Sequence, residues 1–403
     1  MKLNAPLFPI ALCLMAGIGF GKNLESLTIA FVILSPLLMA TVLARKWPKV
    51  QTAGILVCVV LLGMILGKGN PNRYDGRWVP EVICQRVHKA KVNALEVRKK
   101  LIKKQASWDM DDGARGVIVA MTLGDKTLLD RDVKTTYRKV GVAHVLALSG
   151  LHMMMIYLVV TMVIGWWRYR LLKQVVTVLS MWAFAFLVGL SPSVLRSAVM
   201  ISIYALLSLG YREKMSVNTL AFTAIVMLLV NPKSLYDVGF QLSFMAVLAI
   251  LILNPLFAKV IPQHVLQEHR WLKVWWGLTT ISLSAQVGTA PLVAYYFGTF
   301  STYFLLGNYL VVPLATMVLY LTLACFITFW WTGLQQWLVA VLGWVVGTMN
   351  RLLEMIGSLP KSSVEGINLS TLQLYLIYIF ISSLVVLLSL WFNSKYVKQL
   401  TKV

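Results

Sequence analysis

Acidic residues are scarce in this chain: 15 Asp and Glu stand against 37 Lys and Arg among 403 residues, a formal net charge of +22. Such an excess suits anionic partners, whether lipid headgroups, nucleic acid or both. Histidine is scarcer still, at five, and no His-x-His-x-Asp-His metal string occurs. The four cysteines are Cys13, Cys58, Cys84 and Cys325. Three lie in apolar runs and no two have the spacing of a metal site, so they read as packing residues. Gly124-Asp125-Lys126-Thr127 lacks the spaced glycines and adjacent Gly-Lys of a phosphate-binding loop, which excludes ATP hydrolysis by that route. No metal, no cofactor and no catalytic residues are expected, and the chain does not read as an enzyme.

Apolar surface is what the chain has in excess. Hydrophobic residues make up 59% of it, charged ones only 13%, and the mean hydropathy is +0.76. The apolar runs are continuous rather than alternating, and each approaches the ~20 residues that cross a bilayer as a helix. Only helices and closed barrels satisfy their backbone in lipid. The expected fold is therefore all-α, a polytopic integral membrane helix bundle. Spans are expected at roughly 6–21, 27–44, 53–67, 143–165, 174–190, 194–210, 217–231, 238–257, 274–297, 303–330, 334–356 and 371–392. The stretch 334–356 either crosses the membrane or lies at its interface. Lys2 precedes the first run, but 17–23 lacks a small-x-small cleavage site, so the first span reads as uncleaved.

Charge sets the expected orientation. With the N-terminus in the cytoplasm, alternation collects Lys2, Arg45, Lys46, Lys49, Arg168, Arg170, Lys173, Arg212, Lys214, Lys259, Arg270, Lys273, Lys395, Lys398 and Lys402 on the inner side. The short outer loops then hold only Lys22, Lys233 and Lys361, as the positive-inside rule requires. Trp166-Trp167, Trp275-Trp276 and Trp330-Trp331 fall at the same inner boundary. Both termini are expected in the cytoplasm, and the compartment is a bacterial inner membrane.

Residues 68–142 break the pattern, dividing the chain into N-terminal spans at 1–67, this polar insertion, and a second membrane domain at 143–403. Alternation places the insertion outside, which long segments tolerate despite their charge. Its first half carries Arg86, Lys89, Lys91, Arg98, Lys99, Lys100, Lys103 and Lys104. Val87, Ala90, Ala94, Val97 and Leu101 recur at helical spacing, giving an amphipathic helix with one basic face. Asp111-Asp112 is placed to cap a second helix, and Gly141 to end a third. The basic helix either lies on anionic lipid or forms a cationic vestibule for a polyanion, and the two roles are compatible.

Polar groups inside spans cost about 2.5–3.5 kcal/mol each on insertion scales, so they mark partners or function. The candidates are His144, Ser149, Gly150 and His152 in the fourth span, Arg196 in the sixth, Asp237 and Gln241 in the eighth, Gln286 with Pro291 in the ninth, and Asn308 with Pro313 in the tenth. By the expected topology most of these collect around the outer half of one cavity, with Ser149-Gly150 and the two prolines supplying irregular backbone. Blander roles exist for each. Asp237 is placed to cap its helix, and Arg196 to snorkel. The histidines suit interhelical hydrogen bonding, the prolines suit kinks, and Arg351 and Glu354, three apart, suit an ion pair. Tyr295, Tyr296, Phe297, Phe300, Tyr303 and Phe304 suit either an outer aromatic belt or a surface on which bases slide.

Taken together, these strings resemble those of the ComEC competence family. His144-Val-Leu-Ala-Leu-Ser-Gly-Leu-His152 is similar to its signature. Leu123-Gly124-Asp125, Ser193 with Arg196 and Met200, Asn231-Pro232, Asp237-Val-Gly-Phe-Gln-Leu-Ser-Phe244, Ala285-Gln286, Ala290-Pro291-Leu292, Phe297-Gly298, Asn308 and Pro313 follow in order. The resemblance implies an inner-membrane channel that internalises single-stranded DNA in natural transformation. It also implies a DNA receptor outside and a cytoplasmic motor or single-strand-binding protein, since about 2.3 kcal/mol per charge per 100 mV opposes phosphate entry into a negative-inside cell. Proton coupling through Asp237, His144 or His152 is the other available drive. Family members commonly carry an extracellular OB-fold and a metallo-β-lactamase-like domain. The 68–115 stretch is too short for the first, and the chain is expected to be a short form without either. The rival reading is a proton-coupled transporter for a small anionic solute, which needs no basic vestibule. Ser149 and His152 alone, without a third orienting group, do not make a hydrolase.

Overall fold

The computed structural model describes residues 5–21, 48–68, 81–166, 168–209 and 216–400, with isolated positions between 34 and 41. Apart from those isolated positions the expected span 27–44 lies outside the described residues, as do Lys2, Lys22, Arg45, Lys46, Trp167, Arg212, Lys214 and Lys402.

The described chain is helical nearly throughout. In order come α1 (Leu7–Gly21), α2 (Pro48–Lys68), α3 (Glu81–Ala106), α4 (Asp112–Leu123), α5 (Arg131–Lys139), α6 (Gly150–Val163), α7 (Arg170–Leu187) and α8 (Pro192–Leu209). Then come α9 (Val217–Val230), α10 (Val238–Phe257), α11 (Gln263–Glu268), α12 (Arg270–Phe297), α13 (Phe304–Ile327), α14 (Thr332–Gly357) and α15 (Thr371–Leu400). Two short strands, β1 (Thr299–Ser301) and β2 (Ser363–Glu365), pair antiparallel with Phe300 opposite Val364. Helices α2, α7, α10, α13, α14 and α15 are long and apolar enough to cross a bilayer, and α1, α6, α8 and α9 are apolar but shorter. The protein is a polytopic all-α membrane protein.

Contacts divide the chain into two compact units, residues 1–89 with 199–244, and residues 90–198 with 245–403. In the first unit α1 packs on α2 and α9. Gly17 and Gly21 on α1 meet Gly63 and Gly67 on α2 backbone to backbone: a Cβ at Gly63 would lie 2.5 Å from the Leu14 carbonyl oxygen and 2.9 Å from Gly17 Cα. This is the small-xxx-small crossing of membrane helices, in which the gain is close van der Waals contact rather than water expelled. The Tyr236 hydroxyl donates to the Ile18 carbonyl at 3.1 Å, and Leu7 N–H to Asn218 Oδ1 at 2.8 Å.

The second unit is built around α4. Its residues Val117, Ile118, Val119, Ala120 and Met121 are all buried, and all but Val119 join residues of α13 and α14 in one core. A helix apolar on every side has nowhere else to go. Asp111 caps it by accepting Ala114 N–H at 3.2 Å, and Arg115 donates to the Trp108 and Met110 carbonyls at 3.1 Å each. Helix α5 ends where Gly141 takes φ +84, a backbone only glycine adopts without strain. The Tyr137 hydroxyl of α5 donates to Asn350 Oδ1 on α14 at 2.8 Å. Tyr137→Phe should lower stability by roughly 0.5–1.5 kcal/mol, the usual net worth of one such bond. The thermal midpoint of the detergent-purified protein checks this.

Three expectations change, and one element is added. The span at 143–165 is helical only over Gly150–Val163, about 21 Å of helix at 1.5 Å per residue. Val142, Val145, Leu146 and Leu148 are apolar because they are buried among protein, not because they face lipid, and Ser149 in an extended conformation starts the helix. The prolines do not interrupt their spans, since α12 runs through Pro291 and α13 through Pro313. Neighbouring helices supply what a proline removes, and the Tyr378 hydroxyl donates to the Gly288 carbonyl, one turn before Pro291, at 2.8 Å. Arg351 and Glu354 are exposed and do not pair with each other. Finally, the β1–β2 pair had no alternating signal to reveal it, being three residues on each side.

Candidate functional site

The polar residues of the second unit gather at the amino end of α6. Ser149 N–H donates to His152 Nδ1 at 3.3 Å, and the Ser149 hydroxyl lies 3.1 Å from the same nitrogen. An Nδ1 that accepts a backbone N–H leaves the neutral ring's proton on Nε2. That nitrogen is buried and has no acceptor among the described residues, and His152 itself is wholly buried. The contact is a helix-start cap, with no third group orienting the ring as a hydrolytic site would need.

His144 sits in the turns before α6. It is exposed. Gly150 begins α6, and a Cβ there would lie 3.1 Å from the Ser197 hydroxyl. Ser197, which the sequence reading passed over, therefore brings the first turns of α8 against the start of α6. Arg196, its neighbour on α8, is buried. Just below, Gly124 abuts Leu148 and the Val188 carbonyl, and Asp125 pairs with Arg98 at 3.4 Å. Asp125 also accepts the hydroxyl and N–H of Thr127 at 2.7 and 3.0 Å. Helix amino ends with their free N–H groups favour anions, and the start of α6 is such an end.

The other expected residues lie elsewhere. Asn308, on α13, has a buried side-chain oxygen without a hydrogen-bond partner among the described residues, and Gln286 is half-buried on α12. Asp237 and Gln241 belong to the first unit. Asp237 caps α10, accepting Phe240 N–H at 2.7 Å, and Gln241 donates to the Leu235 carbonyl at 2.9 Å. Of the basic helix, Arg86, Lys89, Lys99, Lys100 and Lys103 are exposed on α3, whereas Arg98 and Lys104 are half-buried. Lys104 Nζ stands 3.8 Å over the Phe329 ring, and Trp108 packs on Phe326 with ring centroids 5.3 Å apart.

Comparison with known proteins adds the lineage. The chain is 32% identical over 239 residues to ComE operon protein 3 of Bacillus subtilis (strain 168), covering 58% of this chain and 29% of that protein. It is 30% identical over 205 residues to an uncharacterized protein of Aquifex aeolicus (strain VF5), covering 49% of this chain and 44% of the relative. The chain thus matches less than half the length of either relative. No solved structure matches. The family model described as Competence protein matches residues 121–392, from the end of α4 into α15 and through the whole α6 site. The chain belongs to the Competence protein family.

Proposed function

We propose that the protein passes single-stranded DNA through the bacterial inner membrane into the cytoplasm during natural transformation. The observation that carries the reading is the start of α6, where a buried N–H donor, His152 Nε2, lacks an acceptor among the described residues, with the exposed His144 eight residues before it in the chain. A strand offers one phosphate acceptor per nucleotide, and donors and positive helix ends are the groups that guide it. Arg196 and the helix start supply the charge, and His144 the rim. Both termini lie in the cytoplasm on this reading, a receptor outside delivers the strand, and a cytoplasmic motor or strand-binding protein draws it in.

Uptake of labelled DNA by competent cells tests it. His152→Ala should reduce uptake about tenfold or more at unchanged membrane abundance, since one hydrogen bond to a charged group is worth roughly 1.5–3 kcal/mol. Wild-type uptake in that variant removes the α6 site from the path. A DNA-independent proton flux that depends on His144 and His152 would favour the small-anion carrier instead.

A further inference from the structure

Arg98 stands apart from the other basic residues of α3. Lys99 and Lys100 beside it are exposed, whereas Arg98 is half-buried, and its Nε is buried with no hydrogen-bond partner among the described residues. A guanidinium gives up water only where something compensates. On one side that is Asp125, whose Oδ2 lies 3.4 Å from Arg98 Nη2. The other carboxylate oxygen, Oδ1, accepts the Thr127 hydroxyl at 2.7 Å and the Thr127 N–H at 3.0 Å. Burial pushes the Asp125 carboxyl up, but the two Thr127 bonds and the Arg98 charge outweigh it and hold the group below the usual carboxylate range. Both members of the pair are therefore charged at neutral pH.

On its other side Arg98 meets the turn that joins α7 to α8. A Cβ at Gly189 would lie 3.2 Å from Arg98 Nη1 and 3.4 Å from Leu95. The turn is tightly wound: Gly189 takes φ +89 and Leu190 φ +55. Gly189 N–H donates to the Phe186 carbonyl at 3.0 Å and Leu190 N–H to the Ala185 carbonyl at 2.9 Å. A leucine in the left-handed region is strained and persists only where its surroundings hold it. Helix α8 begins just beyond, at Pro192.

Asp125 has a second connection through Gly124. A Cβ at Gly124 would lie 2.6 Å from Leu148 Cδ1 and 3.6 Å from the Val188 carbonyl oxygen. Leu148 immediately precedes Ser149, which starts α6, and Val188 immediately precedes Gly189. The end of α4, the start of α6 and the turn into α8 thus meet at one point, and the carboxylate beside that point grips Arg98. The two helices that lead away from it, α6 and α8, are the ones that face each other at Gly150 and Ser197.

We infer that Asp125 and Arg98 are positioning residues of the α6 site: their ion pair holds the α7–α8 turn, and with it the first turns of α8, against the start of α6. The pair sets the gap between Gly150 and Ser197, and so the setting of Arg196 beside His152. That this setting serves a phosphate is the only part that rests on the transport reading. Arg98 thereby leaves the group of α3 cations expected to meet DNA, because its charge is answered by Asp125.

Disulfide closure measures the gap without any DNA. In a chain whose four native cysteines are replaced by alanine, Gly150→Cys with Ser197→Cys should form a disulfide on mild oxidation, since a Cβ at position 150 lies 3.1 Å from the Ser197 hydroxyl and a disulfide has a similarly short reach. Asp125→Asn keeps the shape and the acceptor for Thr127 but removes the charge, and Arg98→Met removes the charge but keeps an unbranched side chain. Each should slow closure about threefold or more at normal membrane abundance, in keeping with the modest worth of a partly exposed ion pair. Arg98→Lys keeps the charge and should stay near the parent rate. Unchanged or faster closure in the first two variants overturns the inference, as does closure equally slow with lysine, or a parent pair that does not close. Loss of all three variants from the membrane would make the pair a folding element and overturns it too. With the native residues at 150 and 197, Asp125→Asn and Arg98→Met should also lower DNA uptake per unit of protein. Slowed closure with wild-type uptake would leave the positioning intact and remove the α6 site from the DNA path.

Discussion

Gly63→Ile should remove most of the protein from the membrane, with an immunoblot of the membrane fraction falling several-fold and the remaining protein melting earlier in detergent. The added Cβ alone would stand 2.5 Å from the Leu14 carbonyl oxygen, 2.9 Å from Gly17 Cα and 3.0 Å from the Ile18 nitrogen. These are backbone atoms of a regular helix and no rotamer change relieves them. Helix α1 must back away, and overpacking of this kind costs about 1–3 kcal/mol before the lost contacts are counted. Withdrawal would also break the hydrogen bond from Tyr236 to the Ile18 carbonyl. Gly19 provides the control: a Cβ there meets nothing within 4 Å, so Gly19→Ile should leave abundance and melting unchanged. Equal losses in the two variants would show that the α1–α2 crossing is not what Gly63 serves.

Arg196→Ala should reduce DNA uptake by tenfold or more while leaving the protein in the membrane. The side chain is buried beside Ser197, which faces the start of α6. A buried guanidinium is costly to keep, so a role is expected for it. Its planar fork suits phosphate better than an ammonium does, so Arg196→Lys should recover only part of the uptake. If abundance collapses in Arg196→Ala and recovers in Arg196→Lys, the residue is a structural anchor and leaves the mechanism. Measuring uptake per unit of immunoblotted protein separates the two.

The sequence made much of this molecule legible, through particular residues. Continuous apolar runs located α2, α7, α10, α13, α14 and α15, because lipid leaves a helix no other way to satisfy its backbone. Asp111 and Gly141 marked helix ends through chemistry that acts locally, an acidic cap and a positive φ. The polar string from His144 to His152 pointed to a region where the structure does bring groups together. Other features escaped for equally physical reasons. Hydropathy cannot tell a residue facing lipid from one facing protein, so Val145–Leu148 read as part of a span. It also gives no weight to burial by distant segments, and so α4, twelve residues with a charged first turn, looked like part of a surface insertion. The glycines of α1 and α2 sit four apart in each helix, a signal present in the sequence but meaningful only once the two helices face each other. Tyr137 and Asn350, 213 positions apart, announce nothing until the fold joins them.

The burial of α4 has a consequence for how the protein is made. Helix α4 is twelve residues long and begins with Asp111, Asp112 and Arg115, too short and too charged at its start for the insertion machinery to accept as a span of its own. Its shelter is α13 and α14, and the end of α14 is synthesised more than two hundred residues later. At ~5–20 residues per second this leaves roughly 10–50 s in which α4 has only the near neighbours of its core, such as Trp108, Leu129 and Tyr137, to pack against. The core around α4 is therefore closed only after α13 and α14 have been inserted, so its final packing is a late step whatever the order in which the spans enter the membrane.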